Sequence, residues 1–514
     1  MSQTKTIFKN SSFLAISAVV SKFLYFLLFV AIARYLGPDG LGKYAFAISF
    51  TGMFMVLSEF GLGILAVRDV SADKSLGPNY ISNIALLKFV LCGLALVVVS
   101  LLVLILGYPA ETVKIVVLVG LAVFLPSAAG GMRWYFQVEQ KLEYESILNI
   151  ISSLLFLVLG IMALTLKGGI LGVAFSQALV GIAILFLSWL IVQKRFVKFK
   201  FEFNLPLWKK LLVKAAPFAL MAICTSLYLN ADTVLLSFFK GNTAVGWYNA
   251  SNRLIQAGKL VPAVVIPAIF PVMAAYFKSS REELKGLIEK VLVFMFFVAL
   301  PLSLSITVLA DKIVFLLYGK EFVPAILALR ILSWGMFGVF FSSILGYTLI
   351  SANRQKINTI ITAIGLGTSV AFNLALMPKL GHIGTSLAIT ATEWIVFLLG
   401  GYYVKKYLDF DFGRIVKPFG KVILATAVSG LCIFWVKQYS FVLAVASGIA
   451  VYVGCVFLLK GFYGYDYQRV KGIVLRKLQL ARKHSMNVIA RNPEPCRRTT
   501  KQSQDKKKVT TGSR

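Results

Sequence analysis

Fourteen runs of apolar residues, each near the length needed to cross a lipid bilayer, decide most of what this chain can fold into. A hydrocarbon core about 30 Å thick takes roughly 20 residues of helix, and lipid offers no partner for a bare backbone N–H or C=O, so such runs must be helical. They cover 12–33, 44–67, 81–106, 115–132, 147–166, 170–192, 215–239, 245–277, 291–309, 325–350, 357–377, 383–404, 422–436 and 441–459. The thirteenth is short. The eighth is roughly 50 Å long if straight, and its Pro262, Pro267 and Pro271 predict a kink or break. Only 14% of the residues are charged and 58% are hydrophobic, against about a quarter charged in soluble domains. The expected fold is an all-α polytopic membrane protein with fourteen transmembrane helices, and a soluble catalytic domain is excluded. Lys5 and Lys9 ahead of the first run and Ala31-Ile32-Ala33 at its end imitate a signal peptide. The run is longer than the usual apolar core of such a peptide, and the repeat described below needs it, so it is expected to be retained.

The formal net charge of +32 would suit nucleic acid if it were gathered on a compact domain, but the basic residues sit in short connections and one tail. Counted by loop parity with the N-terminus inside, the inner connections hold 24 Lys and Arg and the outer ones 9. That bias predicts both termini in the cytoplasm of a multi-pass cell-membrane protein. Residues 460–514 add 15 Lys and Arg against 3 acids, with Val470, Ile473, Val474 and Leu478 at the spacing of an amphipathic surface helix. Inner-loop Lys194, Arg195, Lys198, Lys200, Lys209 and Lys210 are expected to set topology and touch anionic lipid. Cys92, Cys224, Cys432, Cys455 and Cys496 have no paired spacing, and His382 and His484 are the two histidines. Neither a disulfide framework, a metal site nor a histidine-based triad is indicated, and no cofactor is expected.

The chain also repeats itself. Gly37, Gly42 and Tyr44 recur 204 residues later as Gly241, Gly246 and Tyr248, and Gly169-Ile170-Leu171-Gly172 recurs 212 residues later as Gly381-His382-Ile383-Gly384. Two matches at nearly one shift imply six spans per copy. Six is even, so the copies share one orientation and form parallel repeats about an axis along the membrane normal. The expected organisation is an N-lobe at 1–200, a C-lobe at 201–408, two extra helices at 409–460 and a basic cytoplasmic tail at 461–514, with a central cleft between the lobes.

The stretch Arg34-Tyr35-Leu36-Gly37-Pro38-Asp39-Gly40-Leu41-Gly42-Lys43-Tyr44, followed by Glu59-Phe60-Gly61-Leu62 and Arg68, resembles the polysaccharide-transporter branch of the multidrug/oligosaccharidyl-lipid/polysaccharide exporter superfamily. The second-lobe residues Asn230-Ala231-Asp232, Gly246-Trp247-Tyr248-Asn249 and Arg253 resemble the same branch, and the likeness covers roughly residues 8–460. The resemblance implies a flippase, not an enzyme, for lipid-linked oligosaccharides of the O-antigen repeat-unit type. Its partners would be that substrate, membrane lipids and other polysaccharide-assembly membrane proteins. A drug/cation antiporter of the same superfamily is the alternative, though its coupling ion calls for clustered intramembrane carboxylates. A polytopic glycosyltransferase or polymerase would need catalytic groups on a sizeable outer loop, and the longest outer connection, 310–324, holds only Asp311, Lys312, Lys320 and Glu321.

Ionisable side chains inside spans are costly unless they face the bundle interior or water, and so mark candidate sites. By helical depth Lys22 and Glu59 reach similar levels, as do Asp232 and Arg253, so each pair is expected to meet or to face a ligand. Lys88 and Lys259 have no evident partner and are candidate ligands, with Lys22 and Arg253, for the phosphates of a polyprenyl-pyrophosphate. Glu59, Asp232 and Glu393 are the candidate coupling or ion-pair acids. Asn249, Asn252, Arg253, Gln256 and Lys259 make one broad polar face, joined by Asn230 from the preceding helix. Ser386, Thr390 and Glu393 share a face that reads as helix-packing glue.

Overall fold

The computed structural model describes residues 3–197 and 203–459. Fifteen α-helices run through them: α1 Gln3–Met53, α2 Met55–Glu59, α3 Leu62–Ala72, α4 Gly77–Ile105, α5 Ala110–Val138, α6 Leu142–Thr165, α7 Gly169–Arg195, α8 Leu205–Gly258, α9 Leu260–Ser279, α10 Arg281–Leu317, α11 Ala325–Ser351, α12 Gln355–Leu380, α13 His382–Leu408, α14 Val416–Val436 and α15 Phe441–Leu458. Three short 3-10 turns accompany them, and no strand occurs among the described residues. The tail from 460, with its amphipathic pattern and Cys496, and the loop bases Lys198 and Lys200 lie outside the described residues.

Among the described residues, twelve stretches are long and apolar enough to cross a membrane, and two of these, Phe13–Met53 and Thr225–Ser279, are much longer than one crossing requires. Gly37 breaks α1 at φ 64°, ψ −170°, and Gly241 breaks α8 at φ 74°, ψ −175°. That region of backbone space is open essentially to glycine alone. Each break turns one long helix into two crossings, an arrangement consistent with fourteen. The two breaks share one geometry at the separation of 204 residues that the sequence repeat has.

The packing pattern follows the same duplication. α4 lies on α5, α5 on α7 and α6 on α7, and the later set repeats this as α10 on α11, α11 on α13 and α12 on α13. α1 and α8 pack against each other along their lengths, and α14 sits on α10. Where α1 meets α8 the backbones touch. A Cβ added at Gly42 would stand 1.8 Å from the Asn242 carbonyl oxygen, and one added at Gly246 would stand 2.0 Å from that of Pro38. Residues 38 and 42 and their counterparts 242 and 246 thus exchange the same contact, as two copies related by a two-fold axis would.

The expected proline break appears between α8 and α9, where Lys259 interrupts the helix. Pro262 explains the place, since its ring crowds the carbonyl four residues earlier, that of Gly258. Pro267 and Pro271 lie inside a continuous α9. The second crossing holds breaks the sequence reading did not foresee: Phe54 separates α1 from α2, and Phe60 and Gly61 are left-handed at φ 43° and 73°. Gly61 sits there beneath the Phe218 side chain of α8.

Candidate functional site

A cavity of about 1000 Å³ opens between the two halves, walled by α1, α5, α6, α7 and α8. Its volume is at the upper end of small-molecule sites, roughly 300–1000 Å³. Lys22, Tyr25, Phe29 and Ile32 come to it from one stripe of α1, at the three- and four-residue spacing of a helix face. Asn249, Asn252, Arg253 and Gln256 line the opposite wall from α8, and Asn230 and Thr233 join them from the arm of α8 before its break. Six of the sequence-predicted residues therefore meet in one place: Lys22, Arg253, Asn230, Asn249, Asn252 and Gln256.

Arg253 does not pair with Asp232. Its guanidinium lies over the Phe29 ring, 4.9 Å from the centroid, a contact that positions a cation without neutralising it. Asp232 instead accepts hydrogen bonds from the Tyr248 hydroxyl and, at 2.7 Å, from the Thr233 backbone N–H. Tyr248, part of the repeated glycine motif and fully buried, thereby ties the two arms of α8 together.

The expected Lys22–Glu59 pair is also replaced. Glu59 is bound by Lys88 at 2.8 Å and by the Ser127 hydroxyl at 2.8 Å, and Ser127 in turn meets Ser58 at 3.0 Å. Lys88 is 1% exposed and belongs to this buried cluster of α2, α4 and α5, away from the cavity lining, so it is not a free ligand cation. The break at Phe60–Gly61 ends α2 at Glu59 and delivers its carboxylate to Lys88 rather than to α1. Lys88 is buried while Glu59 is 35% exposed, so removing Glu59 leaves a buried ammonium without its counter-charge, at a cost of up to about 3–5 kcal/mol. Glu59→Ala should accordingly lower the thermal unfolding temperature of the purified protein in detergent sharply, whereas the double substitution Glu59→Leu, Lys88→Met should recover most of the loss.

Lys259 likewise stays out of the cavity lining. It occupies the α8–α9 break. Glu393 is 9% exposed and accepts from the Tyr228 hydroxyl at 3.3 Å. On the same helix Thr390 donates to the Ile331 carbonyl oxygen at 3.1 Å and packs on Gly335, which is helix glue as expected.

Three residues of the site were not legible beforehand. Arg133 of α5, Asn149 of α6 and Gln177 of α7 line the cavity. Hydropathy ends the fourth run at 132, which assigns Arg133 to a loop, while α5 continues to Val138. Gln177 accepts from Tyr44 at 2.9 Å, so the signal that could have found it is the tyrosine of the repeated motif. The complete set of charges on the wall is Lys22, Arg133 and Arg253, with no carboxylate among the described lining residues.

Contacts between the halves tie the molecule together at both ends of the cavity. At one, beside the glycine contacts, Arg34 donates to the Leu316 and, at 2.8 Å, the Leu317 carbonyl oxygens that end α10. At the other, Asn83 accepts from the Asn204 backbone and the Trp208 indole, and Lys214 lies 3.5 Å from Asp69. Burial pushes the Asp69 carboxyl up, but Arg68, Lys214 and the Tyr80 hydroxyl outweigh it and hold the group below its ordinary range.

Comparison with known proteins gives this geometry a family. The model of the family described as polysaccharide biosynthesis protein matches residues 7–277, over half the chain. The chain belongs to the polysaccharide biosynthesis protein family. The lipid II flippase MurJ family model overlaps that match and carries it onward, over residues 146–454, which places this family member in the polysaccharide-transporter branch of its superfamily. Among its relatives, the capsular polysaccharide biosynthesis protein CapF of Staphylococcus aureus is 24% identical over 407 residues, covering 77% of this chain and 99% of the relative. A putative O-antigen transporter of Escherichia coli is 23% identical over 406 residues, with 77% and 96% covered. Of solved structures, the lipid II flippase MurJ in an inward closed conformation superposes with a TM-score of 0.74 at 16% identity, over 87% of this chain and 99% of its own. A multidrug resistance MATE family transporter in an inward-facing conformation reaches 0.62 at 17% identity, over 76% and 94%. These likenesses establish the fold of the polysaccharide biosynthesis protein family member described here as that of the flippases and multidrug exporters.

Proposed function

We infer that the chain is a flippase that moves a lipid-linked oligosaccharide, carried on a polyprenyl diphosphate, from the cytoplasmic to the outer leaflet for polysaccharide assembly. The observation that carries the reading is the cavity wall, which sets Lys22, Arg133 and Arg253 among neutral amides and aromatic rings, with no carboxylate among the described lining residues. A diphosphate needs cationic, hydrogen-bonding partners, and a glycan needs hydrogen-bonding amides such as those of Asn230, Asn249, Asn252 and Gln256. The family membership and the O-antigen and capsular relatives support the same substrate class. A drug/cation antiporter would require carboxylates on the wall. Transport proceeds by alternating access, with the N-lobe and C-lobe rocking about the cavity and the glycine contact of α1 and α8 closing one side. The Lys and Arg bias puts the loops at Gly37 and Gly241 outside and both termini in the cytoplasm. No ATP-binding motif occurs in the sequence, so the drive is an ion gradient, the membrane potential or removal of product.

Deleting the protein should make a lipid-linked oligosaccharide accumulate in its source cell on the cytoplasmic leaflet, identified by mass spectrometry and by its inaccessibility to external enzymes. Accumulation of an unfinished glycan instead would indicate an enzyme, and no accumulation a different cargo.

A further inference from the structure

Arg133 uses little of its hydrogen-bonding capacity. One guanidinium nitrogen, Nη2, donates to Asn149 Oδ1 at 2.7 Å and weakly to the Glu145 carbonyl oxygen at 3.4 Å, while the Glu145 carboxylate stands off at 3.8 Å. Nε of Arg133 and Oε2 of Glu145 are both buried without a hydrogen-bond partner among the described residues. A guanidinium carries five N–H donors, and a carboxylate beside it ordinarily closes to two parallel bonds. An ion pair kept for stability would be expected to take that geometry, because charged groups left unmatched are costly. This half-made pair is what a stronger acceptor can displace.

The surroundings say what the acceptor is. The Ser21 hydroxyl donates to the Asn149 carbonyl oxygen at 3.2 Å and accepts from Ser153 at 3.1 Å, so α1 and α6 meet at Asn149 and bring the next residue, Lys22, to the same part of the wall. Lys22 has no ion-pair partner among the described residues, and Glu59, which lies at a similar depth by sequence, is held by Lys88. Arg133 and Asn149 lie five and seven residues from the nearest ends of α5 and α6, about 8–10 Å along the helices. That is close enough to the lipid headgroup layer for a phosphate to reach while its prenyl chain stays in the bilayer.

We propose that Arg133, Lys22 and Asn149 form the site that takes the diphosphate, and that Glu145 is the resident counter-ion of Arg133, displaced when the diphosphate binds and restored when it leaves. The proposal rests on the flippase reading and adds a division of labour to it. Arg133 supplies affinity. Glu145 competes for the same guanidinium, weakens the bound state and speeds release, so that the substrate is not trapped in the cavity.

Binding of farnesyl diphosphate to the purified full chain tests this, with farnesol and inorganic pyrophosphate for comparison and dissociation rates measured alongside affinity. Arg133→Gln should weaken binding about tenfold or more, the worth of one lost charge-assisted contact, and Arg133→Lys should fall between. Glu145→Gln should tighten binding several-fold and slow dissociation by a similar factor, a gain that loss of a mere structural brace would not produce. Should Arg133→Gln fail to fold, the Lys and Glu145→Gln variants carry the test. Unchanged or weaker binding in Glu145→Gln overturns the exchange. Equal binding of inorganic pyrophosphate would make this a free-anion site and overturn the lipid assignment. If Lys22→Gln and Arg253→Gln weaken binding while Arg133→Gln does not, the diphosphate sits elsewhere in the cavity and the flippase reading survives. If farnesyl diphosphate binds no better than farnesol, the diphosphate reading itself falls and this proposal with it.

Discussion

Gly42→Ala and Gly246→Ala should each reduce transport by an order of magnitude or more and leave the cavity open to the outside. The methyl group would arrive 1.8 Å from the Asn242 carbonyl oxygen or 2.0 Å from that of Pro38. Backbone on both sides of the contact leaves no side chain to swing away, so the closed arrangement of α1 against α8 must separate. Overpacking a tight contact costs about 1–3 kcal/mol, and occasionally more, and that cost falls only on the state in which the contact is made. The equilibrium between closed and open outer rims should therefore shift roughly five- to 150-fold. A cysteine placed at Asn252, in a chain freed of its own cysteines, should be modified faster by an impermeant reagent from outside in either alanine variant. Gly63→Ala is the control, since nothing stands within 4 Å of its added Cβ. Equal labelling in all three would show that the glycine contact does not close the transporter.

The parts of the structure that could be read from sequence are those set by solvent and by backbone stereochemistry. Apolar runs become crossings because lipid leaves the backbone no other partner, and Gly37 and Gly241 break helices because their dihedral angles exclude side chains. The face carrying Asn249, Asn252, Arg253 and Gln256 was legible because a helix fixes which residues share a side. Partner choice was not legible. Depth along the membrane allows Lys22 to meet Glu59 and Arg253 to meet Asp232, but which side chains meet also depends on how each helix is rotated about its axis. The breaks at Phe54 and at the left-handed pair Phe60–Gly61 flank Glu59, and the break at Gly241 separates Asp232 from Tyr248 and Arg253, so each resets that rotation. Glu59 consequently finds Lys88, Asp232 finds Tyr248, and Arg253 is left over Phe29 facing the cavity. Arg133 was missed for a different reason: hydropathy marks where apolar residues stop, while α5 runs on for another six residues to Val138.

The central claim is that the cavity cations hold the diphosphate of the cargo while the lipid crosses. The most direct measurement is the rate at which a fluorescent polyprenyl-diphosphate-linked sugar changes leaflet in proteoliposomes containing the full chain, followed by quenching from outside. The wild-type protein should move it, and should fail to move the same sugar linked to an uncharged prenyl chain. Lys22→Gln with Arg133→Gln removes two charge-assisted contacts worth about 1.5–3 kcal/mol each, so the double variant, inserted and folded as the wild type is, should slow the rate at least tenfold. Wild-type rates in that variant, or equal movement of the uncharged lipid, would contradict the account.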